Sequence, residues 1–409
     1  MSPETELTSS RFKDVIEDSH VNFLFGAGTS SSYFNVLGDM ENDLTTLESL
    51  TIGKRREALV RASIFANFFD GVLYKNRALL DGDNGTQQLR HDYGLFVRTL
   101  HQVLSHRRST LINKQINIFT TNVDLAFELT VDQLGMDIND GFVGRFLPIF
   151  DPTNFGSLRY KQSGRYENIS EVPTFNLFKI HGSVGWEIAG TAKRFDNEPR
   201  IVFNRELTLL QDIEQKLQVA RKHLLETVED GVAVSLVDLV ENSKGRTLDK
   251  SVKSFLSAYD KQVIVNPTKE KFRTTLLDQS YYELLRIFAN LLEKENSVLF
   301  VHGFSFRDEH LRQLVLRAAR SNPTLQIYIF CFKSQDKSVY ESLIPNEMVK
   351  NGNIAYIVPT VDDDDNELAS NTLKVVTEQY FLPLVSRSVR PIIEQPFGEL
   401  LRIATDGRD

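Results

Sequence analysis

Short runs of apolar residues recur along the chain, and each run ends at polar or glycine-containing residues. The runs are rich in Val, Ile and Phe with little alternation, which is typical of parallel strands covered on both faces. They span residues 21–25, 116–119, 175–180, 263–265, 297–301 and 325–332. Between them lie amphipathic stretches such as residues 282–292, in which Leu284, Phe288 and Leu291 recur at helical spacing. The pattern predicts an α/β fold with a Rossmann-like, doubly wound, mostly parallel sheet.

Two stretches break this alternation and predict a helical accessory module, at about residues 50–110 and 205–260. The first has a broad apolar face that includes Phe65, Phe68 and Phe69. Because an exposed apolar face implies a partner, we expect this face to contact other subunits. We predict one main domain over residues 1–335 that carries both additions, and a C-terminal extension over 336–409 that makes assembly contacts.

Composition narrows the function classes. The net charge is −8, which disfavours direct binding of nucleic acid. Cys331 is the single cysteine, so the chain can form neither an internal disulfide nor a cysteine-ligated zinc module, and we expect a cytoplasmic protein without a metal. No apolar run reaches the roughly 20 residues that cross a bilayer.

The first candidate motif, Gly26-Ala27-Gly28-Thr29-Ser30, follows the first apolar run. Glycines allow a tight turn and close approach of a pyrophosphate, and a following helix would present free amides, with Thr29 or Ser30 as its cap. The dinucleotide fingerprint has a third glycine that is missing here, and a purely structural turn is the alternative.

The second and third motifs follow later runs. Thr121-Asn122-Val123-Asp124 places polar groups after a strand, where open α/β sheets bind ligands, although Asn122 or Asp124 could instead cap the next helix. His181-Gly182 places a potential general base at the end of another strand.

The fourth motif is Gly303-Phe304-Ser305, which offers backbone and hydroxyl groups to a ribose or phosphate. Asp308 is expected to cap the helix that follows. His302 precedes the motif and competes with His181 on local pattern alone, and either histidine could be purely structural.

In this order, the four motifs resemble the sirtuin superfamily over about residues 21–332. The resemblance implies that the loop from Gly26 to Ser30 binds NAD, with Ala27, Gly28 and Ser30 on the phosphates and Thr29 beside them. It implies that Asn122 and Asp124 face the nicotinamide ribose and that Asn122 places the attacking water, with Thr121 as a further NAD-binding residue. It also implies that His181, rather than His302, is the general base. It places Gly303 and Ser305 on the rest of the dinucleotide.

Two departures bear on the reaction. Sirtuin deacylases carry a zinc module of four cysteines and a Gly-Ile-Pro-Asp-Phe-Arg segment after the glycine loop, whereas Ser31-Ser32-Tyr33-Phe34-Asn35 follows here. Both features help to build the acyl-lysine site, so their loss weighs against deacylation and leaves NAD cleavage in place.

The pattern is similar to the bacterial antiviral-defence branch of sirtuin-like proteins. In length and layout the chain resembles the members of that branch that assemble with a HerA-type hexameric ATPase. This implies an NAD+ hydrolase that yields nicotinamide and ADP-ribose, depletes NAD in abortive infection, forms a homo-oligomer and is regulated by the ATPase. The alternatives are an NAD-dependent protein deacylase and a catalytically silent NAD-binding scaffold; the incomplete glycine fingerprint disfavours an oxidoreductase.

Overall fold

The computed structural model describes residues 9–36, 40–107, 111–164, 167–189, 199–229, 232–265, 275–345, 349–360, 369–385 and 393. The strands are β1 (His20–Phe25), β2 (Gln115–Thr120), β3 (Asp137–Asn139), β4 (Phe142–Val143), β5 (Ile149–Phe150), β6 (Tyr160–Gln162), β7 (Ile169–Glu171), β8 (Thr174–Lys179), β9 (Trp186–Ala189), β10 (Arg200–Phe203), β11 (Val228–Glu229), β12 (Val232–Ala233), β13 (Ser297–His302), β14 (Gln326–Phe330) and β15 (Ile354–Ile357). The α-helices are α1 (Ser9–Asp18), α2 (Met40–Ser49), α3 (Lys54–Phe68), α4 (Lys75–Asp81), α5 (Gln87–Ser105), α6 (Ala126–Gln133), α7 (Thr208–Ala220), α8 (Leu236–Asn242), α9 (Lys250–Tyr259), α10 (Thr275–Leu292), α11 (Glu309–Ser321), α12 (Asp336–Leu343) and α13 (Leu373–Val376).

The centre of the molecule is a seven-stranded sheet in the order β15-β14-β13-β1-β2-β8-β3. All of its neighbouring strands pair in parallel. β2 and β8 extend the sheet from β1 in one direction, and β13, β14 and β15 extend it in the other, so the strand order reverses between β1 and β13. The α/β, Rossmann-like, doubly wound fold predicted from the sequence is confirmed.

Both faces of this sheet are covered, which explains the unbroken apolar runs. On β1, Phe23 and Phe25 pack into one core with the helical additions, whereas Leu24 packs into a second core with α10 and α11. Alternate residues of a strand point to opposite faces, so a fully buried strand is apolar at every position that packs.

A row of asparagines interrupts the apolar strands at one level of the sheet. The amide of Asn117 donates to Asn22 Oδ1 over 2.9 Å, and the amide of Asn176 donates to Asn117 Oδ1 over 2.9 Å. The three residues stand opposite one another on β1, β2 and β8. A one-residue slip would break this buried row, so it fixes the register of the strands that lead to the candidate site.

One of the six predicted strands is wrong. Residues 263–265 are buried, but they lie outside the central sheet, and Ile264 makes an isolated antiparallel bridge with Gly182. Short apolar runs pack equally well as covered loops, so the apolar run alone could not separate the two cases.

A second, antiparallel sheet was not predicted. It has the order β4-β5-β10-β9, and its strands are two to four residues long. Phe142, Phe150, Trp186 and Phe203 form its aromatic packing. This small sheet follows β3 and the His181 loop directly, so it flanks the carboxyl edge of the main sheet.

The two helical additions pack on each other, and this overturns the premise of an exposed Phe-rich face. Phe65 and Phe69 are 1% and 0% exposed. The ring of Phe65 stacks on Tyr259 of α9 with centroids 4.3 Å apart. The expectation that this face contacts other subunits is therefore wrong: the second addition, 205–260, covers it within the chain.

The main fold continues past residue 335. β15 pairs with β14 at the edge of the sheet. Phe381 packs against Phe23 and Phe300, with ring centroids 5.6 and 5.4 Å away. Described residues between 336 and 385 thus contribute to the central core, and residues 386–392 and 394–409 lie outside the described ranges.

Candidate active site

Four loops leave the sheet at one level of its carboxyl edge. They follow β13, β1, β2 and β8, which are consecutive neighbours in the sheet. Phe25 stands opposite both His302 and Thr120, and Thr120 stands opposite Lys179, so the last residues of the four strands are in register. The four sequence motifs begin one or two residues after these positions and are therefore brought together at one edge. This edge, at the point where strand order reverses, is where open α/β sheets bind ligands.

The glycine loop after β1 touches the loop after β13. The Gly28 amide donates to the Gly303 carbonyl over 2.9 Å, and the Gly26 amide donates to the His302 carbonyl over 3.1 Å. A Cβ on Gly28 would lie 2.8 Å from the Gly303 Cα. Gly303 has φ +64°, and a Cβ there would lie 2.2 Å from the Thr29 nitrogen. Glycine is required at these positions because the two loops touch. This agrees with a structural turn, which was the alternative to a phosphate-binding loop.

Thr29 does not cap a helix, contrary to expectation. Residues Ala27–Ser30 form a short 3-10 helix that has no side-chain cap. The Thr29 hydroxyl donates to the His302 carbonyl over 2.8 Å and lies 3.0 Å from His302 Nδ1.

The contacts of His302 are those of a structural histidine. Besides Thr29, its Nε2 lies 3.1 Å from the carbonyl of Asn371. Burial lowers the pKa of His302 from 6.5 to about 4. A buried imidazole with both nitrogens engaged is a poor candidate for proton transfer to a ligand, which favours His181 among the two histidines.

Asn122 belongs to a buried polar cluster. Its side-chain amide donates to Ser30 Oγ over 3.3 Å, and Ser30 Oγ lies 2.7 Å from the Tyr93 hydroxyl. Burial raises the pKa of Tyr93 well above its ordinary value, so the phenol stays protonated. The cluster joins the first two motifs directly. Tyr93 comes from α5 and was missed from the sequence, because a tyrosine in a helical addition carries no local signal.

Asp124 lies beside a buried ion pair. Its Oδ1 accepts from the Ala126 amide over 3.0 Å, so it supports the start of α6, as the capping alternative allowed. Lys179 donates to the Asp124 carbonyl and lies 3.2 Å from Glu128 Oε1. Burial is the main cause that raises the pKa of Glu128. The backbone of the second motif is thereby tied to the end of β8.

His181 lies on the loop after β8 with its side chain 19% exposed. The Val184 amide, three residues on, donates to the Val123 carbonyl over 3.0 Å and links this loop to the second motif. Gly182 has φ +77°, and a Cβ there would lie 2.1 Å from the Val263 carbonyl oxygen. His181 Nε2 lies 3.1 Å from Asp308 Oδ2. The third and fourth motifs are therefore joined through a residue that the sequence suggested only as a cap.

The loop after β13 exposes Ser305 to solvent and buries Phe304 and Phe306 around it. Asp308 Oδ1 accepts from the Leu311 amide over 3.2 Å, and the predicted cap of α11 is confirmed. Thr121 is held by its amide, which donates to the Phe25 carbonyl over 3.1 Å.

The donor set suits the ribose of a dinucleotide better than its phosphates. Amide, hydroxyl and imidazole groups are supplied by Asn122, Ser30 and His181 on loops at the same edge of the sheet, and such groups bind ribose hydroxyls and water. The amides of Gly26, Gly28 and Thr29 donate to protein carbonyls, so they do not form the free-amide cradle expected from the sequence.

A separate groove of about 680 Å³ lies between α10 and α11, among Tyr282, Arg286, Glu293, His310 and Arg317. No residue of the four motifs lines it. Within the described ranges, no group of three or more His, Cys, Asp or Glu side chains is placed to hold a metal ion. Among the helices of the described part, none is both long and apolar enough to cross a membrane.

The SIR2-like domain family matches residues 257–357, about a quarter of the chain. The matched part includes β13, β14 and β15 with Gly303, Ser305 and Asp308, and it supports a Sir2-like protein with NAD-related chemistry. It does not extend to the glycine loop, Asn122 or His181. No curated protein matches the chain.

Proposed function

We propose that this protein is an NAD+ glycohydrolase that cleaves the nicotinamide–ribose bond of NAD+ and releases nicotinamide and ADP-ribose. NAD+ is the substrate and no metal takes part. The observation that carries the proposal is the convergence of Asn122, Ser30, His181 and Asp308 at one edge of the sheet, within a fold whose β13 side matches the SIR2-like family.

Nicotinamide is a cationic leaving group, so bond cleavage needs no general acid. The C1′–N bond breaks with its electron pair going to nicotinamide, and the ribose passes through a cation-like state resembling that of glycoside hydrolysis. Water then forms the new C1′–O bond and loses one proton. In this proposal Asn122 holds the water, Asp124 supplies negative charge and His181 accepts the proton. Gly26, Ala27, Gly28, Thr29, Ser30, Thr121, Gly303 and Ser305 surround the remainder of the substrate.

The test is NAD+ consumption by the wild-type protein and by Asn122→Ala and His181→Ala. We expect a loss of about 10²–10⁴-fold in kcat for each variant, because each removes a group that acts on the attacking water. His223→Ala is the control, because His223 lies on the helical module and is partly exposed. His302→Ala is not suitable as a control, because His302 is buried. Equal activity in all four proteins would exclude the proposed site.

The same assay separates the alternatives. A deacylase would consume NAD+ only with an acetylated peptide and would release acyl-ADP-ribose. A silent scaffold would bind NAD+ without releasing nicotinamide.

We further propose, from the resemblance, that the enzyme depletes cytoplasmic NAD in antiviral defence and that assembly with a HerA-type ATPase controls it. Residues 1–335, completed by the edge strand β15 and by Phe381, would form the catalytic part, and 336–409 would in addition contribute assembly contacts. Since the Phe-rich helix face is buried, contacts would use other surfaces, such as Phe146 and Leu111, which are 100% and 92% exposed. A protein that stays monomeric at high concentration, alone and with the ATPase, would exclude this second proposal.

A further inference from the structure

We propose that Asp308 is a positioning residue that fixes the tautomer of His181 and thereby makes Nδ1, not Nε2, the atom that accepts the proton. The inference rests on the proposed function for its catalytic consequence, but the tautomer itself is a property of the protein alone.

The geometry of the pair defines the tautomer. Asp308 Oδ2 lies 3.1 Å from His181 Nε2. A carboxylate can only accept hydrogen bonds, so Nε2 must carry the proton. A neutral imidazole with its proton on Nε2 has its lone pair on Nδ1. Among the described residues, Nε2 is the ring nitrogen of His181 that has a hydrogen-bond partner, and Nδ1 has none.

Asp308 is held rigidly enough to impose this choice. Its second oxygen, Oδ1, accepts from the Leu311 amide at the start of α11, a 13-residue helix. The carboxylate is buried, with its side chain 7% exposed. The turn before it contains Phe306, which is buried at φ +57°. A bulky residue in the left-handed region persists only where the surroundings fix the backbone, so the turn that delivers Asp308 is fixed.

The hydrogen bond between His181 and Asp308 also joins loops that follow two strands on either side of β1 and β2. His181 follows β8 and Asp308 follows β13, with β1 and β2 between them. The hydrogen bond therefore spans the carboxyl edge across the glycine loop and Asn122. The imidazole is oriented by a residue that follows the far strand of this row, and the ring of Tyr281 on α10 lies 6.2 Å from it.

The test uses Asp308→Asn and Asp308→Ala. Asparagine keeps an oxygen for the Leu311 amide, whereas alanine removes both acceptors. Selective ¹⁵N-histidine labelling, with His181→Gln to identify the signal, reports which ring nitrogen of His181 is protonated. We expect the Nε2-H tautomer in the wild-type protein and a shift towards Nδ1-H in the variants, together with a fall of about 10²-fold or more in kcat and little change in KM for NAD+.

Asp249 supplies a matched control. It caps α9 through the Ser251 amide, and its Oδ1 lies 3.7 Å from His223 Nε2, so it is another helix-capping aspartate beside a histidine. Asp249→Asn and Asp249→Ala should leave kcat and the His181 signal unchanged. They also measure what loss of a cap costs in thermal stability.

The outcomes separate the two proposals. If the wild-type protein does not cleave NAD+ but His181 is protonated on Nε2 and responds to Asp308, the proposed function fails and the positioning role stands. If the wild-type protein cleaves NAD+ but His181 is protonated on Nδ1, or neither Asp308 variant alters tautomer and kcat, the positioning role is overturned.

Discussion

Single residues at the carboxyl edge set how closely its loops approach one another. Gly303 is the clearest case, because it combines φ +64° with direct contact between its Cα and the glycine loop after β1. Gly352 has nearly the same backbone conformation, φ +58°, but a Cβ there meets no atom within 4 Å. The two positions separate backbone strain from steric contact.

We therefore expect Gly303→Ala to reduce the free energy of unfolding by about 3 kcal/mol or more, since it adds a clash with Thr29 to the strain. Gly352→Ala should cost about 1–2 kcal/mol, the strain alone. Urea denaturation of both variants measures the difference. Equal losses would show that the loop after β13 moves aside at little cost.

The sequence could predict the role of a residue only where that role depends on its neighbours along the chain. The cap at Asp308 was predictable because a helix begins directly after it. Its bond to His181, which is 127 positions away, was not, since nothing in either segment refers to the other. Tyr93 was hidden for the same reason: its hydroxyl meets Ser30 only after α5 docks on the sheet.

At the scale of elements, the two helical additions act as one layer over one face of the sheet. Phe65 on α3 and Tyr259 on α9 are stacked and buried, so each addition supplies the surface on which the other packs. The apolar face predicted for the first addition is present, but a single sequence does not tell whether its cover comes from the same chain or from a partner.

Truncation of this contact should separate the two additions. We expect Phe65→Ala to reduce the free energy of unfolding by about 3–5 kcal/mol, because a buried aromatic ring is lost and leaves a cavity. Val237→Ala is the control: Val237 on α8 is 76% exposed, and loss of its methyl groups should change stability by no more than about 0.5 kcal/mol. Thermal unfolding monitored by calorimetry compares them. A small effect at Phe65 would mean that the layer repacks without its central ring.

The strands illustrate the limits of apolar patterns. Runs of five or more buried residues, as in β1 and β13, were identified correctly because both faces are covered. The strands of the small antiparallel sheet have two to four residues and were invisible to periodicity. The asparagine row was also unexpected, since a buried amide is tolerated only where register provides its partners.

At the scale of the whole molecule, two buried titratable groups act on stability in opposite directions over the same acid range. Burial raises the pKa of Asp92, on α5, from 3.8 to about 6. Its folded state holds the proton more tightly, so stability is lost as pH rises from about 4 to 6. His302 has its pKa lowered to about 4, so its contribution is present above 6.5 and is lost as pH falls towards 4.

Removal of the Asp92 carboxylate should leave a pH dependence of stability that reflects His302. Asp92→Asn keeps an oxygen for the Gln88 amide, which lies 2.6 Å away, but removes the buried charge. We expect this variant to be more stable than the wild type by about 2–3 kcal/mol at pH 8 and nearly equal to it at pH 4. Urea midpoints between pH 4 and 8 measure this. A constant difference across the range would show that Asp92 ionises normally in the folded protein.

The pairing of β13 with β1 in the central sheet has a consequence for folding of the chain during its synthesis on the ribosome. β1 ends at residue 25, but its neighbour β13 ends only at residue 302, so the two paired strands are far apart along the chain. Until then the ribosome carries a chain whose first strand lacks one partner, and pairing across such a distance is slow. A nascent chain that has not yet reached residue 302 thus lacks the edge at which the four motifs meet, so the proposed activity would appear only after β13 has been made.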